Sequence, residues 1–252
     1  MLVNSFDTKY ARTASKYEYL DNSFTKILSS NKKFSRIFTS VIEDKSLKSL
    51  SEATLRSDIT GQVINTILTH DPSSKHYLYY MGDVFKKDNI SNNIKQFRQH
   101  GVEIINLPKN ISFREVLKIL DKILKNILIK NYTFVFTDPK ITKNKSYLLD
   151  SSSNKNNISN FINIFKKNIS APFELNLETN FFSQNYHQDI FFYVYSNISK
   201  KILAQGGGYQ YKKNSKKVEG FGFSCNVDFI SEVALWIKQL LDFSGAMKVK
   251  VK

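Results

Sequence analysis

Residues 189–225 read DIFFYVYSNISKKILAQGGGYQYKKNSKKVEGFGFSC, and the order of strand patterns in this stretch decides the fold class. Three segments rich in aromatic and β-branched residues predict strands at 189–196, 200–205 and 219–225. Turn-forming residues separate these segments, and no helical pattern does. Strands joined in this way pair antiparallel, and the helices predicted elsewhere place the chain in the α+β class.

The rest of the chain mixes helix and strand patterns. The clearest helix covers 111–130, where apolar residues form a broad stripe and Ser112 is the predicted N-cap. Thr60 is predicted to cap a shorter helix in TGQVINTILTH. The tract 140–157 is low in apolar residues and predicts a long surface connection. Further helices are predicted within 16–31, 158–168 and 228–243, and further strands within 34–43, 76–85, 94–105 and 132–138.

The composition indicates a folded protein of a reducing compartment. With 252 residues, of which 41% are hydrophobic, the chain is long enough to bury a sizeable core. The single cysteine, Cys225, excludes an internal disulfide, and no apolar run approaches the ~20 residues that span a bilayer. The N-terminal residues lack the apolar core of a secretory signal. We therefore expect a soluble protein of the cytoplasm.

The net charge of +15 allows two interpretations of the surface. A basic surface attracts nucleic acid and other anions. The basic residues, however, are 32 lysines and only 5 arginines, whereas phosphate-binding sites favour the planar arginine fork. The lysines are also scattered along the chain, which favours a solvated surface. An anionic partner is the alternative.

Five of the nine glycines lie between Gly206 and Phe223. A phosphate-binding loop of the dinucleotide type requires a helix directly after its glycines, and here another strand follows. Two interpretations are left. The glycines lie on adjacent antiparallel strands and form a floor on which a flat ligand rests, or they belong to a flexible hairpin without a ligand.

An ordered series of segments resembles the catalytic core of histidyl-tRNA synthetases, a class II aminoacyl-tRNA synthetase family. The series consists of TLRSDITGQVIN (54–65), HYLYYMGDVFKKD (76–88), KQFRQHGVEIIN (95–106), YHQDIFFYVY (186–195), LAQGGGYQY (203–211) and GFGFSCNVDFI (220–230). The second of these contains a likeness of the second class II motif, and the last a likeness of the third. The resemblance covers most of residues 20–243 and implies an antiparallel class II sheet flanked by helices.

Departures from the synthetase pattern argue against charging of tRNA. Class II synthetases hold ATP with an arginine in the second motif and another in the third, and the matching positions here are Lys86 and Phe229. Lysine supplies only a point charge, and an apolar ring cannot hold a phosphate. The arginine–glycine pair of the histidine-specific segment appears as Gln184 and Asn185. The chain ends soon after the third motif, so we expect a single domain over 1–252 without an anticodon-binding domain.

One branch of this family shares these departures, namely the regulatory subunit of ATP phosphoribosyltransferase. The chain resembles that branch in LRSDIT, in QFRQHGVEII and in the Asn226–Val227–Asp228 ending of the third motif. The resemblance implies a non-catalytic protein that binds the short-form catalytic subunit and supports the first step of histidine biosynthesis and its histidine feedback. The alternative is a degenerate histidyl-tRNA synthetase paralogue that binds an amino acid or tRNA.

The resemblance also implies a pocket for a histidine-like ligand, lined by Asp58, Gln99 and Glu103. Glu103 or Asp58 would meet the ammonium group. Gln99 and Glu103 are four residues apart and share one face of an ideal strand. The alternatives are a helix cap for Asp58 and ordinary strand polarity for the other two.

Further residues of the implied pocket come from the glycine triplet and from the family's tyrosine-rich region. The triplet consists of Gly206, Gly207 and Gly208, and Tyr186 matches the tyrosine region, with core packing as its alternative. Arg56 and Lys86 are candidate anion contacts, although Arg56 equally well pairs with a neighbouring carboxylate. The four histidines and Cys225 show no metal-ligand spacing, so we expect neither a metal nor a cofactor.

The first class II motif forms the dimer interface in the synthetase family, and FSRIFTSVIE (34–43) stands in its place. Phe34, Phe38 and Val41 are apolar residues of this segment that are available for burial. Pairing of one apolar patch with its own copy is the commonest route to an oligomer. We therefore expect a homodimer within a larger hetero-oligomer.

Overall fold

The computed structural model describes residues 11–43, 54–87, 93–129, 131–137, 152–176 and 187–234. Their central feature is an eight-stranded sheet in which the four longest strands lie side by side and the shorter strands flank them. The strands are β1 (Ser35–Arg36), β2 (Ile42–Glu43), β3 (Thr54–Leu55), β4 (His76–Lys87), β5 (Ile94–Ile105), β6 (Tyr132–Thr137), β7 (Phe173–Leu175), β8 (His187–Ser196), β9 (Ile202–Lys213) and β10 (Lys216–Asn226).

The order of strands in the large sheet is β1-β4-β5-β10-β9-β8-β6-β7. The five inner pairs are antiparallel, and only the outermost pairs, β1 with β4 and β6 with β7, are parallel. Strands β2 and β3 form a separate antiparallel pair. The antiparallel sheet of an α+β protein is thereby confirmed.

Helices cover both faces of this sheet. They are α1 (Ala11–Ser29), α2 (Thr60–His70), α3 (Lys109–Asn126), α4 (Ser152–Asn168) and a closing helix described over 227–234. Helices α1, α3 and α4 bury an aromatic-rich core on one face, in which Phe113 packs edge-on against Phe161 and Phe221. Helix α2 packs on the opposite face through Val63, Ile64 and Ile67. No helix among the described residues is both long and apolar enough to cross a membrane.

Both predicted helix caps are wrong. Helix α2 begins at Thr60 itself, and the preceding Ile59 makes no side-chain cap. The hydroxyl of Thr60 donates instead to a carboxylate of β5, so a tertiary partner replaces the local one. Helix α3 begins at Lys109, directly after Pro108, and Ser112 lies buried within its first turn. The helix also ends at Asn126 rather than at residue 130.

Two predicted connections between elements also differ from the structure. The segment 34–43 is not one strand, because the chain leaves the edge of the large sheet after Arg36 and pairs again only at Ile42 with β3. Of the predicted surface connection 140–157, the last residues belong to α4, which begins at Ser152, and 140–151 lie outside the described residues.

The glycine triplet lies in the middle of β9 instead of ending a strand.

Candidate functional site

A small cavity lies at the start of α2, over the central strands β5, β10 and β9. Its volume is about 40 Å³, a few times the roughly 10–15 Å³ that a single water needs. Predicted pocket residues come together here: Asp58, Gln99, Glu103, Gly206, Gly207 and Lys86 all line the cavity. The remaining lining residues are Thr60, Phe191, Gln205, Tyr209, Gly222, Phe223 and Ser224.

Glu103 is the buried carboxylate at the centre of this cavity. Its side chain is 1% exposed, and each oxygen accepts one hydrogen bond from a hydroxyl. Thr60 donates to Oε1 at 2.9 Å, and Tyr209 donates to Oε2 at 2.8 Å. No ion pair joins Glu103 to a cation among the described residues. Burial raises the pKa of Glu103 to about 8, although the two hydroxyl donors lower it.

The burial of Glu103 favours ligands that carry a positive charge. Near neutral pH the uncharged form of Glu103 predominates, because burial penalises the carboxylate more than two neutral donors stabilise it. A ligand ammonium in the cavity would stabilise the charged form directly. The site therefore gains most from a ligand that brings its own positive charge.

Gln99 and Asp58 are two further hydrogen-bonding residues in the wall of the cavity. The amide nitrogen Nε2 of Gln99 donates to Oδ1 of Asp58 at 3.3 Å. The amide oxygen Oε1 of Gln99 is buried and has no hydrogen-bond partner in the part of the chain that the structure describes. A buried polar atom without a partner costs about 1–3 kcal/mol, so a ligand N–H that reaches it restores that energy. Asp58 makes this contact instead of a helix cap.

The glycines of β10 make room for Glu103 and Tyr209. Glu103 pairs with Gly222 on β10, which pairs in turn with Gly207 on β9, so all three share the cavity face. A Cβ atom on Gly222 would lie 2.6 Å from the carbonyl oxygen of Val102 and 2.7 Å from Cδ of Glu103. No such approach occurs in real proteins, and a residue without a side chain is required there.

A second glycine contact positions the hydroxyl of Tyr209. Gly220 is the cross-strand partner of Tyr209, and a Cβ atom on Gly220 would lie 2.5 Å from Cζ of that ring. The ring therefore lies flat across β10, and its hydroxyl reaches Glu103 on the next strand. Gly101 accommodates the ring of Tyr80 in the same way, and Tyr80 lies 3.2 Å from the Thr60 hydroxyl.

The other predicted site residues are placed as follows. Lys86 is exposed at the cavity mouth. Arg56 is buried beside β4 and donates to the carbonyl oxygens of Asp83, Thr39 and Ser40 and to the hydroxyl of Thr39. Its hydrogen bonds within the described part of the chain therefore go to backbone carbonyls and a hydroxyl.

Two more candidates do not line the described cavity. Gly208 lies on β9 next to Gly207, where strand alternation points it to the opposite face. Tyr186 lies outside the described residues.

A second cleft of about 290 Å³ adjoins the cavity and shares Lys86, Gln99, Gln205 and Ser224 with it. Its walls are mainly apolar and include Val84, Phe97, Ile202 and Phe229. The Lys201 ammonium lies over the Phe229 ring, 4.8 Å from its centroid. Phe229 thus contributes an aromatic ring to the cleft, at the position that matches the arginine of the third class II motif.

Sequence reasoning missed Thr60 and Tyr209 as site residues. The position of Thr60 before an apolar-periodic segment indicates a helix cap, and in LAQGGGYQY the resemblance singles out the glycines rather than Tyr209. The available signal was the alternation in GGGYQY, which puts Gly207 and Tyr209 on the same face of a strand.

Comparison with known proteins agrees with this geometry. A family model described as histidyl-tRNA synthetase matches residues 13–168, more than half of the chain. The chain belongs to the histidyl-tRNA synthetase family. The predicted resemblance is thereby confirmed at the level of the family. No curated protein is a significant match to the sequence.

Solved structures extend the likeness of this family member beyond the matched segment. An ATP phosphoribosyltransferase regulatory subunit/histidyl-tRNA synthetase from Bacillus halodurans is 13% identical, with a TM-score of 0.72 over 92% of this chain and 84% of that one. The histidyl-tRNA synthetase of S. aureus is 18% identical, with a TM-score of 0.69 over 93% of this chain and 70% of that one.

A third solved structure is the ATP phosphoribosyltransferase complex of Thermotoga maritima. One of its chains is 16% identical to this family member, with a TM-score of 0.63 over 87% of this chain and 98% of that one. At identities this low, the structural likeness shows that the fold is shared and nothing more. The predicted class II synthetase-like fold is thereby confirmed.

Proposed function

We propose that this chain is the non-catalytic regulatory subunit of an ATP phosphoribosyltransferase, and that its cavity together with the adjoining cleft binds histidine as the feedback effector. The observation that most supports this proposal is a contrast within the site. The cavity presents the acceptors that an ammonium group needs, whereas the positions of both ATP-holding arginines carry Lys86 and Phe229. The partner in this proposal is the short-form catalytic subunit. The chain itself is proposed to catalyse no reaction.

Three acceptors support an amino acid as the ligand. Within the described ranges of the chain, Glu103 is buried without a cation and the Gln99 oxygen has no hydrogen-bond partner, and Asp58 lies beside Gln99. A protonated α-amino group supplies three N–H donors and one charge, which matches this set. At the mouth, Lys86 supplies a positive charge for the carboxylate end of the same ligand.

The second cleft argues against ATP chemistry at the other end of the site. The phosphates of ATP require charged donors, and losing one such donor costs about 1.5–3 kcal/mol of binding. In this cleft Phe229 presents an apolar ring, and Arg98 is engaged by Asp21 and Asp83. An amino acid can therefore be held here without being activated.

The test combines the purified chain with a short-form ATP phosphoribosyltransferase catalytic subunit. We expect a complex in gel filtration, higher turnover of the catalytic subunit, and inhibition of that turnover by histidine. Glu103→Gln should keep the complex and lose the histidine response, while Glu115→Gln on α3 serves as the matched control. Absence of both complex and activation would refute the proposal.

Pyrophosphate exchange separates this proposal from a degenerate synthetase. We expect no histidine-dependent exchange above background, because neither Lys86 nor Phe229 holds phosphates as an arginine fork does. Exchange that depends on histidine and is lost in Lys86→Ala would favour the synthetase paralogue. Filter binding of tRNA over a salt series adds an independent check, since phosphate contacts give a steep salt dependence.

We further propose that two copies pair through the segment 37–43 and the strand β3. Phe38, Val41, Ile42 and Leu55 are exposed there, and Phe38 is 77% exposed. Phe34 does not contribute, because it packs into the core of its own chain against Tyr77 at a centroid distance of 5.3 Å. Light scattering should give a dimer that Phe38→Ser weakens and Leu175→Ser, at an exposed site on β7, does not. A wild-type monomer at micromolar concentration would count against dimerisation.

A further inference from the structure

The β9–β10 hairpin ends in a tip that carries four lysines. The turn consists of Asn214, in a left-handed conformation with φ 57°, and Ser215. In the register of the hairpin Lys213 is paired with Lys216, and Lys212 with Lys217. Side chains at such positions have Cβ atoms about 4.5–5.5 Å apart, and like charges directly opposite each other destabilise a hairpin. Two successive pairs of this kind lower the stability of the tip.

The lysines of the tip have few anionic partners among the residues that the structure describes. Lys213 donates to the side-chain oxygen of Asn65 at 3.3 Å, and Lys216 donates to the carbonyl of Thr69 at 3.2 Å, both on exposed α2 residues. Lys217 forms an ion pair with Glu219. Within the described part of the chain, this glutamate is the one carboxylate bound to the four ammonium groups.

The tip belongs to the two strands that form the floor of the cavity. Gly207 and Tyr209 lie on β9, and Gly222 lies on β10. From Gly207 to Lys213 the strand rises over six residues, roughly 20 Å at about 3.3 Å per residue. A partner that contacts the tip therefore contacts the far end of the ribbon on which a ligand rests.

We propose that this tip is the docking surface for an acidic face of the partner subunit, an inference that rests on the proposed function. Carboxylates of that face would neutralise the two opposed lysine pairs. The cavity floor and the tip belong to the same two strands, β9 and β10. A ligand in the cavity and a partner docked at the tip would therefore both contact these strands.

The residue types at the tip favour a protein surface over nucleic acid. Proteins that bind single-stranded nucleic acid combine a basic groove with aromatic rings on which bases stack. The tip residues 212–217 contain neither an aromatic residue nor an arginine, and the nearest ring, that of Tyr211, packs against the α2 cluster. The four ammonium groups are then the main recognition feature of the tip, and carboxylates are the protein groups that pair with them.

The experiment compares Lys212→Gln/Lys213→Gln with Lys118→Gln/Lys122→Gln, two exposed lysines on α3 whose loss changes the net charge equally. Binding of the full chain to the short-form catalytic subunit is measured over a salt series. At about 50 mM salt we expect the tip variant to bind roughly tenfold more weakly and the control to bind like wild type. The difference should shrink to about threefold or less near 500 mM, where screening acts over a few ångströms.

Each outcome decides between the hypotheses. Equal affinity of tip variant and control overturns the docking surface but leaves the proposed function intact if wild type still binds and activates. Wild type that binds no catalytic subunit overturns both. A tip variant that loses binding to a duplex RNA while keeping the partner overturns the proposal in favour of nucleic acid. Thermal melting should be unchanged or slightly higher in the tip variant, since like-charge pairs are removed, so weak binding cannot be attributed to unfolding.

Discussion

The hydroxyl of Tyr209 donates a 2.8 Å hydrogen bond to Oε2 of Glu103, a residue 106 positions away in the chain. The strands that carry the two residues are not neighbours, because β10 lies between them. The bond forms only because Gly220 and Gly222 on β10 leave space above that strand.

Glu103 makes the stability of the protein dependent on pH. Its pKa is about 8 in the folded state and about 4.5 in the unfolded one, so the folded state binds more protons between these values. The free energy of unfolding should therefore fall as pH rises from about 5 to about 8, by at most about 1.4 kcal/mol per pH unit. Urea unfolding of wild type and of Glu103→Gln at several pH values measures this. Parallel pH profiles of the two proteins would contradict it.

Binding of histidine should release a proton from Glu103. The ligand ammonium stabilises the carboxylate and lowers its pKa, so the proton held by the empty site is lost on binding near pH 7. Affinity should then increase between pH 6 and pH 8. Calorimetry in two buffers of different ionisation enthalpy measures the number of protons released. We expect close to one for wild type and close to none for Glu103→Gln, and equal heats in both buffers for wild type would contradict the mechanism.

Gly222→Ala should displace the Glu103 side chain and destabilise the fold. Its methyl group would lie 2.6 Å from the backbone oxygen of Val102, which cannot move without shifting β5. Overpacking of this kind costs roughly 1–3 kcal/mol. Gly61→Ala is the matched control, because no atom lies within 4 Å of a Cβ there and alanine favours helix α2. Denaturation curves should separate the two variants, and a stable Gly222→Ala protein would show that the contact is not restrictive.

Gly207→Val should remove ligand response while leaving the fold largely intact. Gly207 lies within β9 beside Gly222, and no described glycine has a positive φ, so a β-branched residue is compatible with the strand. The valine side chain would point into the cavity face and occupy the space of the ligand. A near-normal melt together with lost histidine response is the expected result. Unchanged histidine response would refute a ligand resting on this glycine.

Asp21 should contribute stability that is lost in acid. Arg98 donates hydrogen bonds to it, and Nε2 of His100 lies 2.8 Å from its Oδ1. Although burial raises the pKa of Asp21, these two neighbours lower it to about 2 from 3.8. The unfolded state therefore binds more protons between these values, and stability falls as pH drops from about 4 to about 2, by about 2 kcal/mol in total. Asp21→Asn should lose this pH dependence and be less stable at neutral pH. Acid unfolding monitored by circular dichroism tests both statements.

Local sequence patterns were sufficient for the main elements of the fold. The strand patterns in 76–85 and 132–138 and the apolar stripe of α3 correspond to β4, β6 and a buried helix face. Such patterns are informative because burial on one face imposes a period of two on strands and 3.6 on helices. The resemblance of the class II-like segments also predicted that Asp58, Gln99 and Glu103 lie near one another, as they do around the cavity.

Tertiary structure alone decided the contacts between distant segments. Thr60 has the sequence signature of a helix cap, yet its hydroxyl binds Glu103, because the sheet brings a buried carboxylate within 2.9 Å. The described hydrogen bonds of Arg56 go to three backbone carbonyls and to the hydroxyl of Thr39, all in other segments of the chain. Neither set of hydrogen bonds can be predicted from sequence spacing, since the partners of each side chain come together only in the folded chain. The glycines show the same division, because the sequence revealed their cluster and only the paired strands revealed that they admit Glu103 and Tyr209.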